Sequence, residues 1–133
     1  MWRLTAAFVA FCFALALSGA ADAAGREVRD HDDLQEIFAG TLLAGIGPEG
    51  RHFKSYLYND GKVMLEAAGH PADAGRWWIE DQRFCVDLRH AFQGKPTCFA
   101  VFYGGATKID LSMETGITLH TRAVGRAISL SLR

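Results

Sequence analysis

An excess of charge of either sign is absent: 14 lysines and arginines stand against 15 aspartates and glutamates, a formal charge of −1 at neutral pH. Binding to nucleic acid needs a basic patch or stripe, whereas the arginines here, from Arg26 to Arg126, are interleaved with acids along the whole chain. No nucleic-acid partner is expected. Catalytic signatures are missing too. There is no Gly-x-Ser-x-Gly, so no serine exposed on a strand-to-helix elbow is expected. There is no Cys-x-x-Cys, which removes the usual redox and zinc spacings. The five histidines, His31, His52, His70, His90 and His120, fall in no recognised catalytic spacing. The sequence therefore nominates no enzyme, no metal site and no cofactor. Repeats, low-complexity tracts and linkers are absent after Ala24, and 133 residues is near the size of one domain.

The one long apolar run lies at the start. Met1-Trp2-Arg3 gives a short positive beginning, and the uncharged stretch from Leu4 to Leu17 ends in Ser18-Gly19-Ala20, with small residues at both recognition positions of a signal peptidase. A membrane anchor needs about twenty apolar residues, and this run is shorter and dissolves into Ala-Asp-Ala-Ala-Gly. Residues 1–20 read as a cleaved export signal, with a second site after Ala21-Asp22-Ala23. Cys12 lies inside the run, preceded by Ala10-Phe11 and not by a lipoprotein signature, so no lipid anchor is implied. The expected product is periplasmic or secreted and not membrane-bound. Losing Arg3 moves its formal charge from −1 to −2. Residues 21–29 are expected to be a flexible segment, and 30–133 a single disulfide-stapled β domain.

In an oxidising compartment the two remaining cysteines, Cys85 and Cys98, pair with one another. Strand-like flanks and a turn signal at Gln93-Gly94-Lys95-Pro96 make the segment a hairpin with a cross-strand bridge. Setting Cys85 opposite Cys98 places Phe84 opposite Phe99 and Val86 opposite Thr97, pairs that suit an antiparallel sheet. A zinc role would need two further ligands, and no His or Cys cluster supplies them.

Residues 30–40 open with acids, carry apolar residues at 34, 37 and 38, and close on glycine, which is the pattern of one short helix capped by Asp30 and ended by Gly40. His31-Asp32-Asp33 reads as helix-start acids in preference to a metal site. From residue 41 onward, turn signals recur about every ten residues, and alternation is visible in Val63-Leu65-Ala67, in Ile109-Leu111-Met113 and in the stretch 127–132. The expected fold is all-β with one N-terminal helix: a small antiparallel up-and-down barrel or strongly curled sheet of seven or eight strands, with the helix over one open end or edge.

For binding, one strand face carries His52, Lys54, Tyr56 and Tyr58 while Phe53, Ser55 and Leu57 take the other. Pointing inward, the first face would line a polar cavity for a small ligand; pointing outward, it is an ordinary amphipathic surface, the reading preferred here. Trp77-Trp78 sends one indole to each side of the sheet, leaving Trp78 as a candidate contact residue. His70-Pro71-Ala72-Asp73 reads as a plain turn.

The order Gly40-Thr41-Leu42 with Gly45, Tyr56, Asp60-Gly61, Gly75-Arg76-Trp77, Cys85 and Cys98 resembles small secreted proteobacterial domains of unknown function, although Thr41 follows Gly40 directly where those have an asparagine between. Gly75-x-Trp77 followed by Cys85-Val86-Asp87-Leu88 is similar to the small disulfide-bearing barrel of periplasmic metalloprotease inhibitors. That second resemblance implies an N-terminal arm, here residues 21–29, threaded into a protease cleft. The leading expectation is a non-catalytic binding module for an unknown small molecule or periplasmic protein; the alternative is a metalloprotease inhibitor.

Overall fold

The computed structural model describes residues 25–105 and 107–126. The expected leader and the alternating stretch 127–132 lie outside the described residues. Nine strands and one helix follow in order: β1 (Arg26–Val28), α1 (His31–Phe38), β2 (Thr41–Ile46), β3 (His52–Leu57), β4 (Lys62–Ala67), β5 (Asp73–Glu80), β6 (Arg83–Leu88), β7 (Thr97–Tyr103), β8 (Lys108–Met113) and β9 (Thr118–Arg126). Each of β2 to β9 pairs antiparallel with its sequence neighbour, and β9 pairs back onto β2, so these eight strands close an up-and-down barrel. Closure removes the exposed edges that a meander of this length would otherwise present. The expected barrel is observed.

The cysteine bridge sets the middle of the wall. Cys85 and Cys98 are joined with their Cα atoms 4.0 Å apart, and Phe84 faces Phe99 while Val86 faces Thr97, in the register read from sequence. The β6–β7 ladder covers only those three pairs, and farther along β7 the freed edge is taken by β1, through Arg26–Tyr103, Glu27–Phe102 and Val28–Val101. Within the segment expected to be flexible, 21–29, Arg26–Val28 are therefore a paired strand, while residues 21–24 lie outside the described residues. An unpaired strand edge is a strong acceptor for three residues of extended chain, and Val28 drops into the core as it docks.

Gly75 explains the Gly-x-Trp spacing. A Cβ there would lie 1.8 Å from the carbonyl oxygen of Asp87 on β6, so only glycine permits the close approach of the two strands, and Trp77 two residues on then points to the same, inner face. Trp77 is buried and donates its indole N–H to the Tyr58 carbonyl at 2.8 Å.

Helix α1 begins at Asp30, whose carboxylate accepts from the Asp33 N–H at 3.0 Å. It stops at Gly40, whose φ of +70° is left-handed. Its apolar stripe, Leu34 and Phe38, has no exposure at all. The Phe38 ring stacks on Phe84 with centroids 4.1 Å apart and planes 17° from parallel, and Thr41 at the start of β2 donates to the Ile37 carbonyl at 2.7 Å. The helix thus plugs the end of the barrel at which β2 begins.

Candidate functional site

Beyond the Phe38–Phe84 stack, the interior is not filled. A cavity of about 190 Å³ runs from Phe84 toward the end opposite the helix, walled by Leu43, Phe53, Leu65, Val86, Leu88, Phe99, Leu111 and Leu119. These are the inward positions of seven strands, brought together because side chains alternate along each strand and every strand keeps its apolar set on one face. Ser55 and Arg51 supply the polar side chains of the lining. Ser55 points inward from β3, and Arg51 stands in the turn between β2 and β3, 3.8 Å from Glu49. Phe92 closes part of the wall, edge-on to Phe99 with centroids 5.5 Å apart and planes at 67°.

Phe92 is held there by a loop whose anchor is Asp73. The chain between β6 and β7 contains a short 3-10 turn, Ala91–Gly94, in which Phe92 and Gln93 adopt φ values of +56° and +60°. Left-handed backbone at non-glycine residues persists only where surrounding structure over-determines it. The buried Asp73 carboxylate does so by accepting from the backbone N–H groups of Arg89, His90 and Ala91, the last at 2.7 Å, as well as from Ala74. Residues 70–73, a plain turn by sequence, end in an acid that holds the neighbouring loop.

Burial pushes the Asp73 carboxyl upward, but the N–H bonds from Ala91, His90 and Ala74 outweigh it and hold the group below its ordinary value of 3.8. A carboxyl depressed in the folded state contributes stability above its unfolded pKa and loses that contribution as pH falls through the folded value. Acidification below about pH 3.8 should therefore release the 89–96 loop first. At neutral pH, Asp73→Ala should lower stability by about 1–3 kcal/mol, because it removes a charged acceptor shared by four backbone N–H groups, those of Ala74, Arg89, His90 and Ala91. Amide exchange at His90 and Ala91 should accelerate more than exchange in β3 or β4. Uniform protection across the chain in the variant would contradict the anchoring role.

Most of the residues singled out from sequence sit on the outer wall. His52 and Lys54 are exposed, Tyr56 and Tyr58 are half-buried, and Phe53, Ser55 and Leu57 face inward, so the outward reading of that face is the one observed. Tyr56 donates to Glu66 at 3.1 Å, and its phenol is pushed up by burial first and by that bond second. Trp78, facing Cys85 across the β5–β6 pair, is half-buried with its N–H directed to Glu80 at 3.2 Å. It lies on β5 and is not among the residues that line the groove holding His52 and Lys54. Glu80 also approaches Cys85 and Cys98, whose sulfurs are committed to each other and present no thiolate to a metal.

Comparisons with protein-family models, curated proteins and solved structures return no match in any of the three. The disulfide places the chain among proteins compatible with an oxidising compartment. No helix among the described residues is long and apolar enough to cross a membrane.

His52 and Lys54 line an outer groove together with Lys108, His120 and Arg122, residues far from them in the chain that no local pattern groups with them. The interior site was likewise hidden in part: Phe92 and Arg51 lie in turns whose direction no local pattern announces.

Proposed function

We propose that this protein is a non-catalytic binding module of the periplasm or extracellular space that takes the apolar end of a small molecule into its barrel. The observation that carries the reading is the asymmetry of the interior, which the Phe38–Phe84 stack closes at one end and an apolar cavity hollows toward the other. Natural barrel cores of this size are normally filled by side chains, and an apolar cavity of about 150 Å³ suffices for benzene. A ligand end of one aromatic ring or a short alkyl chain matches the volume of about 190 Å³. The Ser55 hydroxyl inside and the Arg51 guanidinium in the lining favour a polar or acidic head on that ligand.

A titration with benzoate, hexanoate and indole, followed by calorimetry and by thermal unfolding, tests this. Saturable binding of at least one is expected. Ser55→Leu fills the cavity with side-chain carbons, so it should leave the protein folded and weaken that binding by about tenfold or more. A folded Ser55→Leu protein that binds as tightly as the original, or no binding of any probe, would remove the reading.

The inhibitor alternative requires residues 21–29 to enter a protease cleft as an extended arm. Three of them, Arg26 to Val28, are paired with β7 and would have to leave the sheet first. The cavity reading asks for no such rearrangement.

A further inference from the structure

The outer groove has a chemistry unlike that of the molecule around it. Antiparallel register sets one row of outward side chains across five adjacent strands: Glu66 on β4, Lys54 on β3, Ala44 on β2, Arg122 on β9 and Lys108 on β8. Lys54, Arg122 and Lys108 are exposed and enter no ion pair among the described residues. Two carboxylates border the row: Glu66, at its β4 end beside Lys54, accepts the Tyr56 hydroxyl, and the buried Asp110 is bonded to Nδ1 of His120 at 2.9 Å. A chain of formal charge −1 thus keeps three free cations in one line, with two imidazoles, His52 and His120, flanking Ile46 in the next row.

The row also has a seat. Between Lys54 and Arg122, whose strands are two steps or roughly 10 Å apart, the position is occupied by Ala44, so long flexible cations stand on either side of a methyl group. Ala44 lies within an outer groove of about 900 Å³ that reaches Ala67 on one side and Thr107 on the other. From Lys54 to Lys108 the line extends three strand spacings, roughly 14 Å, which exceeds the size of a single carboxylate or phosphate. An elongated polyanion with acceptor oxygens at intervals uses all three donors, with the guanidinium forming the forked contact and the ammonium groups acting as point charges.

We infer that this wall is a second binding site, for a soluble di- or triphosphate group, separate from the apolar cavity within the barrel. It is independent of the cavity reading, since the row of cations faces solvent and the cavity faces the interior.

The probe is sodium pyrophosphate, titrated into isotopically labelled protein at low ionic strength and followed through backbone amide shifts, with sodium chloride of matched ionic strength as the control. Saturable shifts centred on Ala44, Thr121 and Arg122 are expected. Arg122→Gln should weaken binding by about tenfold, and Lys54→Gln combined with it should abolish saturation. Both positions are exposed, and unchanged thermal unfolding of the variants would confirm that the barrel is intact. Binding of benzoate, hexanoate or indole should be unaffected in the double variant. Absence of saturation up to about 20 mM pyrophosphate would overturn the inference. So would equal affinity in the double variant, or association with anionic vesicles without any response to free pyrophosphate.

Discussion

Phe38→Ala should lower the unfolding free energy by about 3–5 kcal/mol, among the largest effects of any single substitution in this chain. The ring has no solvent exposure and rests face to face on Phe84 at 4.1 Å, while Phe84 in turn lies 6.2 Å from both Trp77 and Phe99. Removing it takes away buried apolar area and leaves a void that the closed wall collapses into only partly. The same change hollows the floor of the cavity, because Phe84 lines it and loses its support. Urea unfolding would give the magnitude. The probe panel should shift toward larger ligands in parallel. A loss below about 1 kcal/mol would show that the helix is an accessory and not the plug of the barrel.

Loss of the disulfide, by Cys85→Ala with Cys98→Ala, should cost about 3 kcal/mol, the chain-entropy value for a loop of roughly this size. The two residues are 13 apart. The effect should also be local. Only three residue pairs join β6 to β7, and β1 takes the rest of the β7 edge, so this is the thinnest seam in the wall. Hydrogen exchange in the variant should rise at β1, β6 and the start of β7 before it rises at the β2–β3 pair, which has six registered pairs. Equal stability of the variant and the oxidised protein would mean that the side-chain pairs Phe84–Phe99 and Val86–Thr97 hold the seam unaided.

What was legible in the sequence was local. The bridge, its register and the pairs on either side of it follow from residues that are near in the chain and constrained by alternation. The helix was readable from Asp30, Leu34, Phe38 and Gly40, since caps and apolar spacing are written within one element. Barrel closure could be expected only as a way to hide edges; the pairing of β2 with β9 joins distant parts of the chain, and no short pattern encodes it. That is why the cationic row escaped notice, for it needs Lys54 from one side of the seam and Arg122 and Lys108 from the other. β1 was missed because Arg-Glu-Val is too short and too polar to resemble a strand, and it exists because β6 leaves part of β7 unpaired. The Asp73 anchor was missed for a related reason. An acid after His-Pro-Ala looks like turn chemistry, and nothing nearby shows that its acceptors serve a loop sixteen to eighteen residues downstream.

The Asp73 anchor, the Phe92 wall and the Phe38–Phe84 floor share one consequence: the interior space is kept open by structure that is held from outside it. The most direct measurement of that claim is a crystal of the protein pressurised with xenon, since an apolar cavity of this kind takes up the gas whatever the natural ligand is. Density for xenon among Leu43, Phe53, Phe84, Phe99 and Leu119 is the expected result. A barrel interior that admits none, with side chains packed across that space, would contradict the account.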